Sequence, residues 1–435
     1  MKSVDAHIAD ILAAVSPLSP RLLPLGSAHG CVLAADLHAG VALPGFDNSA
    51  MDGYALHAAD VAGASPDHPV TLPVTGDIPA APGTPAPVAR GTAARIMTGA
   101  PFPPGADTVV QVEWTDGRMD QVTVVRAPAP GQNIRRAGED VAAGDLVLPA
   151  GRLLGAAQIG LLAALNVAAP TVHPRPRVAV LSTGSELIEV GGTLGPGQIV
   201  DSNSHAVAAA AREAGAEVRR FAGVPDSPDA FAALLTDVLA DADAVITTGG
   251  VSVGAFDVVK QVLAATGEVR FERLAMRPGM PQGFGVLGGV PVFTLPGNPV
   301  SALVSFELFV RPALRWMRGL ASVHRPTLVV TTAQELRASP GRRSYLRVRL
   351  TGAGDGRPPV AHLAGGQGAH QMSALAVADA LVIVPEGGAD VPAGRELTAL
   401  LLGDETVASQ AGGAVPADQV GGVPPADRAR TEAGA

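Results

Sequence analysis

Arg177-Val178-Ala179-Val180-Leu181-Ser182-Thr183-Gly184-Ser185-Glu186 reads as a strand of the buried type that stops in a polar, glycine-bearing turn. Apolar residues in an unbroken run, rather than in alternation, are what a strand covered on both faces requires. The same pattern repeats downstream. Helical spacing runs over 203–214, and a strand follows at 217–222. Then come a helix over 228–240, the strand Ala244-Val245-Ile246-Thr247, a helix over 257–265, strands at 269–274 and 290–295, and a helix over 300–317. This alternation predicts an open, mostly parallel α/β sheet with helices on both faces.

Outward from this centre the character of the chain changes. Val4, Ile8, Ile11, Leu12 and Val15 sit at helical spacing. From residue 45 to about 144, Pro, Gly and β-branched residues dominate, with strand-like runs at Val70-Thr71-Leu72-Pro73-Val74 and Val122-Thr123-Val124-Val125. A helix is expected at about 155–166. Beyond Pro326 short β runs return at Leu328-Val329-Val330, at 345–350 and at Leu381-Val382-Ile383-Val384. The residues after 403 lack periodicity and are rich in Ala, Gly and Pro, so a disordered tail is expected over 404–435.

In open α/β sheets, ligands bind beyond the carboxyl ends of the strands. Here five strand ends are polar or glycine-rich: 183–186, 225–227, 248–254, 277–281 and 295–301. Their convergence on one edge predicts a polar crevice. Gly249-Gly250-Val251-Ser252-Val253-Gly254 would let backbone N–H groups face a phosphate, or would simply make a tight turn. Pro296-Gly297-Asn298-Pro299 opens a helix, with Pro299 suited to its first position. Glu186, Asp226 and Asp257 lie at or just after strand ends. They read either as carboxylates for Mg²⁺ or, for Asp226 and Asp257, as helix N-caps.

The bulk numbers narrow the function. A net charge of −9 without a long basic block argues against a nucleic-acid binder, so an anionic ligand must be held by local donors. One cysteine, Cys31, permits neither an internal disulfide nor a Cys-based zinc site, and reads as a small buried hydrophobe. The first residues lack a basic and an apolar signal region. The most apolar stretch, 155–170, is short of the ~20 residues that a membrane span needs. A cytoplasmic protein with no membrane contact is expected.

Three further islands are unusually polar for their surroundings. They are Asp47-Asn48-Ser49-Ala50-Met51-Asp52-Gly53-Tyr54, Ile96-Met97-Thr98-Gly99-Ala100-Pro101, and Asn133-Ile134-Arg135-Arg136-Ala137-Gly138-Glu139-Asp140. Each alone reads as a turn or a surface ion-pair patch. Taken in order with Ser182-Thr183-Gly184, Gly249 to Gly254 and Leu295 to Ser301, they resemble the motifs of the molybdopterin molybdenumtransferases, a family that includes the C-terminal domain of gephyrin. The resemblance covers residues 5 to 402.

The resemblance implies four domains. They are a segmented, elongated N-terminal domain (1–45 and 141–174), an inserted β-rich domain (46–140), an α/β domain of the molybdopterin-binding type (175–322) and a small C-terminal β domain (323–403). It further implies a homodimer whose chains share each active site. The substrates are adenylylated molybdopterin and molybdate, with Mg²⁺ as the cation. By motif position the catalytic acids fall on Asp52, Glu186 and Asp257, and the metal ligands on Glu186, Asp226 and Asp257. Substrate binding falls on Thr98, Asp140, Gly249, Gly250, Ser252, Asn298 and Ser301. Molybdate binding falls on Arg277, Ser301, Arg342 and Ser373.

Two departures are visible. The family's Lys-Pro-Gly-Lys-Pro turn is Arg277-Pro278-Gly279-Met280-Pro281 here, and the acidic residue that usually precedes the glutamate is Ser185. An active transferase is the leading expectation. A catalytically weakened paralogue that binds the cofactor or a partner protein is the alternative, which Met280 favours and the intact acids oppose. A related adenylyltransferase would share the α/β domain but not the islands at 47–54 and 133–140.

Overall fold

The computed structural model describes residues 1–224, 227–251, 258–352 and 357–403. They form two compact units. One holds Met1–Arg21, Gly30–Val32 and the chain from His173 onward; the other holds Leu22–His29 and Leu33–Val172.

The larger unit is built on a six-stranded sheet. Its order is Glu217–Val224, Arg177–Thr183, Ala244–Thr248, Val290–Leu295, Pro281–Leu287 and Val269–Arg273. The first four strands are mutually parallel, and the last two join antiparallel. Side chains of a strand point alternately to its two faces, and both faces are covered. Val178 and Val180 pack with Val207, Phe293 and Leu314 on one side. Ala179 and Leu181 pack with Phe231, Leu235 and Leu263 on the other. Helix Pro228–Leu239 starts with the Ser227 hydroxyl accepting from Ala230 N and a proline in its first turn, the expected opening for a helix.

Two elements depart from the sequence reading. Pro281–Leu287 is a strand although Gly283 and Gly285 break its apolar pattern. It returns into Val290–Leu295 through Gly288-Gly289, both at positive φ, the backbone that a two-residue hairpin turn demands. Gly285 is required by packing, because a Cβ there would lie 2.2 Å from the Glu268 carbonyl oxygen. The helix expected over 300–317 is three segments: Pro299–Ser305, a π-helical turn Phe306–Val310, and Arg311–Met317. Pro312 cannot donate to an upstream carbonyl, and the wider turn precedes it. Within that turn Glu307 is buried and accepts from Arg311 Nε at 2.7 Å and Arg325 Nε at 2.8 Å.

Helix Val4–Ala14 buries Val4, His7 and Ile11. His7 meets Phe309 edge-on at 4.9 Å, and Trp316 Nε1 donates to the Val15 carbonyl. By packing, this helix lies in the unit that carries the α/β sheet.

In the same unit the C-terminal strands close into a small barrel. Arg343–Thr351, Val360–Leu363, Thr327–Thr332, Glu396–Leu401 and Ala380–Val384 are neighbours in that order, and Ala380–Val384 pairs back with Arg343–Thr351. Met276–Arg277 adds to the barrel in parallel with Arg343 and Ser344, so one short strand ties the barrel to the α/β part.

The second unit has a five-stranded sheet in the order Thr108–Gln111, Gly53–Leu56, Ala93–Ile96, Val70–Ile78 and Gln121–Val124. Both strands expected in the inserted region are present and pair with each other. Leu37–His38 pairs with Leu146–Leu148, and Leu43 bridges to Val141, so the segments flanking the insertion meet. Helix Ala156–Ala164 follows, as its spacing predicts.

Candidate functional site

The turns at the carboxyl ends of the parallel strands open on a cavity of about 550 Å³ in the larger unit. Its floor is Gly249, Gly250 and Val251, which continue strand Ala244–Thr248. Both glycines have positive φ, and Gly249 N donates to the Leu295 carbonyl at 2.9 Å. Pro296, Gly297, Asn298 and Ser301 form one wall, with Ser301 only 3% exposed. Asn203 Nδ2 donates to the Gly297 carbonyl at 2.7 Å and fixes that turn.

The facing wall is the turn 276–281. Gln282 Nε2 donates to the Gly279 carbonyl and to Ser305 Oγ, each at 2.6 Å, which locks the turn from behind. Gly279 is at φ +91°, and a Cβ there would meet Ser305 Oγ at 2.7 Å. The barrel supplies Arg342, Gln367 and Ala369, and the Ala369 carbonyl accepts from Val300 N at 3.0 Å.

Charge at this cavity is one-sided. Arg277 and Arg342 line it, and no carboxylate among the described residues does. Arg277 Nη1 donates to Ser339 Oγ at 3.2 Å. The Arg342 guanidinium makes no hydrogen bond or ion pair among the described residues, although its backbone N donates to the Ser339 carbonyl. Two cations without counter-anions beside backbone donors suit a multiply charged oxyanion. Met280 also lines the cavity, with Arg273 Nη2 3.6 Å from its sulfur.

The sequence-predicted residues divide accordingly. Gly249, Gly250, Asn298, Ser301, Arg277 and Arg342 gather on this one cavity. Ser373 does not: it is exposed on the short helix Met372–Ala376 and lines no part of it. Glu186 is exposed on the turn after Arg177–Thr183, its carboxylate folded back over Gly184, where a Cβ would lie 2.6 Å from Oε2. Asp226, Ser252 and Asp257 lie outside the described residues, as does the tail from 404.

Asp52, Thr98 and Asp140 belong to the other unit. Asp52 and Thr98 form one exposed pair. Asp52 Oδ1 accepts from Thr98 N at 2.7 Å and from Thr98 Oγ1 at 2.8 Å. The Thr98 backbone N–H, then its hydroxyl, hold the Asp52 carboxyl below the usual carboxylate range. Asp140 is exposed, its backbone N donating to the Leu43 carbonyl at 3.1 Å. Sequence reasoning did not single out Gln367, Asn203 or Gln282. They sit in no distinctive motif, and only the Gly-rich run 365–368 around Gln367 carries any signal.

Three family models match the chain in order. They describe the MoeA N-terminal region (domain I and II) over residues 2–166, a probable molybdopterin binding domain over 179–316, and the MoeA C-terminal region (domain IV) over 329–402. The chain is 46% identical over 406 residues to molybdopterin molybdenumtransferase 2 of Mycobacterium tuberculosis, covering 91% of this chain and 98% of that one. It is 38% identical over 387 residues to the molybdopterin molybdenumtransferase of a Nostoc species, with 88% of each chain covered. A solved structure of a molybdopterin biosynthesis MoeA protein from Pyrococcus horikoshii superposes with a TM-score of 0.74 at 31% identity, covering 92% of this chain and 98% of that one. Order of domains, extent of identity and fold agree, and the chain belongs to the molybdopterin molybdenumtransferase (MoeA) family.

Proposed function

We propose that this protein transfers molybdenum from molybdate to the dithiolene sulfurs of adenylylated molybdopterin, with release of AMP. The observation that carries this reading is the cavity at the strand ends, where Arg277 and Arg342 stand beside the Gly249-Gly250 turn and no carboxylate lines it among the described residues. Molybdate is a dianion and needs fixed cationic and N–H donors. Arg277, Arg342 and Ser301 supply them. The 249–250 and 296–298 turns offer backbone to the phosphate-bearing end of the substrate.

A divalent cation would neutralise the pyrophosphate while AMP departs. Glu186 fits this role. It is an exposed carboxylate at a strand end with no hydrogen bond to its oxygens among the described residues, and hard oxygens are what Mg²⁺ takes. Asp226 and Asp257 would complete the set. Asp52, whose carboxylate accepts from Thr98, would be a further acid of the reaction. The working protein is proposed to be a cytoplasmic homodimer.

AMP release from adenylylated molybdopterin, with Mg²⁺ and molybdate present, tests the reading. Glu186→Gln and Asp257→Asn should each cut turnover by orders of magnitude with unchanged circular dichroism. Turnover close to wild type in either variant removes that residue from the reaction. No AMP release by the wild-type chain removes the reading.

A further inference from the structure

One end of the five-stranded sheet in the second unit gathers polar groups of its own. Asp52 stands just before strand Gly53–Leu56, and Thr98 just after strand Ala93–Ile96. Arg95 lies on that second strand, opposite Tyr54 on one side and Asp77 on the other. A guanidinium carries five N–H donors. Among the described residues that of Arg95 makes one hydrogen bond, from Nη1 to the Met119 sulfur at 3.0 Å, and no ion pair. A thioether is a weak acceptor. The neighbouring acids are engaged elsewhere or stand apart. Asp116 Oδ1 accepts from the backbone N of Thr123 at 3.0 Å and of Arg118 at 3.4 Å. Asp52 Oδ1 accepts twice from Thr98, while its Oδ2 accepts nothing among the described residues.

Apolar surface adjoins these groups. Val112 is 39% exposed, and its backbone N donates to the Asp52 carbonyl at 3.0 Å. Met119 is 55% exposed on the turn 116–120, and a Cβ on Gly117 of that turn would stand 3.9 Å from Val112 Cγ2. A carboxylate with a free oxygen, a guanidinium short of acceptors and two exposed apolar side chains thus share one sheet end. A phosphate fits poorly there, because Asp52 and Asp77 are both exposed at that end. A neutral heterocycle with donors and an acceptor along one edge fits well. A 2-amino-4-oxopteridine has two adjacent N–H groups, which match a carboxylate, and beside them a carbonyl, which matches a guanidinium. Arginine and carboxylate side chains divide the oxo and amino groups of nucleic-acid bases in the same way.

We propose that Arg95 and Asp52 bind the pterin ring of the substrate, Arg95 donating to the 4-oxo group and Asp52 accepting from the 2-amino edge. The inference rests on the reading of Asp52 as a residue of the reaction, and it gives that residue a ligand.

The test is fluorescence titration of the full-length chain with pterin and with lumazine, which has an oxo group in place of the 2-amino group. The wild-type chain should prefer pterin about tenfold, the size of one charge-assisted contact. Asp52→Asn should lose that preference, because the site no longer offers two acceptor oxygens. Arg95→Met should weaken both ligands about tenfold and keep the preference. Arg90→Met, an exposed arginine ahead of the same strand, should change neither. In AMP release, Arg95→Met should raise the half-saturating concentration of adenylylated molybdopterin about tenfold and leave that of molybdate where it was.

Equal affinity of the wild-type chain for pterin and lumazine, or no binding of either, overturns the proposal. So does wild-type affinity in folded Arg95→Met. Displacement of pterin by inorganic pyrophosphate also overturns it, since the substrate's phosphates would then occupy Arg95. Should Arg95→Met not fold, the Asp52→Asn arm decides alone, because Asp52 is exposed. Full AMP release by Asp52→Ala removes the reading of Asp52 and this inference with it. An inactive Asp52→Ala, with the ring preference unchanged in Asp52→Asn, removes this inference only.

Discussion

Met280 lines the cavity at the position where the family's turn usually offers its second lysine, and Arg273 Nη2 lies 3.6 Å from its sulfur. A charge-assisted hydrogen bond contributes about 1.5–3 kcal/mol, so restoring the lysine should strengthen anion binding roughly tenfold or more. Met280→Lys is therefore expected to lower the molybdate concentration for half-maximal AMP release, at fixed Mg²⁺ and saturating adenylylated molybdopterin; superimposable curves would remove Met280 as a determinant. Asp52 is exposed, and among the described residues its carboxylate accepts hydrogen bonds from Thr98 alone. Asp52→Ala should abolish turnover while leaving the melting temperature within about 2 °C, as a surface substitution does. Of these side chains the acids were legible, because each sits in a short island of polar residues. Gln367 and Arg347 were not. In the run Tyr345-Leu346-Arg347-Val348-Arg349-Leu350, alternation puts Arg347 on the polar face of a strand, and only the closed barrel packed against its glycine-rich segment buries it.

Helix Val4–Ala14 carries a titrating group into the core. Burial, and secondarily Lys2, lower the His7 pKa to about 4, against opposing pulls from Glu272 and Asp10. His7 Nδ1 is 3.3 Å from Glu272 Oε2. The folded state thus binds fewer protons than the unfolded chain between the folded value of about 4 and the ordinary 6.5. Stability from this group is complete above the unfolded pKa and is lost as pH falls through that window, by as much as about 3 kcal/mol. The melting temperature should drop between pH 7 and 5, and His7→Leu should flatten that dependence; an unchanged slope would mean that other groups set it. In the five-stranded sheet, Gly53 lies where the backbone of Thr108–Gln111 comes closest. A Cβ would be 2.0 Å from the Val110 carbonyl oxygen. Gly53→Ala should cost about 3 kcal/mol or more. Gly76→Ala, whose Cβ would stand 3.7 Å from Ala94 Cβ, should melt close to wild type. Equal melting temperatures would contradict the close strand approach. A motif glycine that looks functional in sequence is here required first by strand packing.

At the scale of the molecule, the proposed sharing of active sites between two chains has a direct consequence. Mixed dimers of Asp52→Ala and Glu186→Gln, each inactive alone, should recover part of the AMP release, since one of the two composite sites would be intact; verified mixed dimers without activity would argue against sharing. In a strain lacking the transferase, the chain should restore cofactor formation, with a higher molybdate requirement than a relative that keeps both lysines of the turn. Sequence alone determined what depends on neighbouring residues. The strand–helix alternation over 177–318, the helical spacing of 4–15, the strands around Val70 and Val122 and the ordered islands at 47–54, 96–101 and 133–140 are all written in local periodicity and short motifs. Tertiary structure decided what depends on residues far apart in the chain. It made 281–287 a strand, because Gly283 and Gly285 are needed for close approach and so erase the apolar pattern. It placed the first helix on Phe309 and Trp316, some three hundred residues away. It also brought Arg277 and Arg342 to one cavity and left Ser373 outside it. Periodicity records which face of an element is apolar, but not which distant surface will cover it, and the cavity at the strand ends depends on that covering.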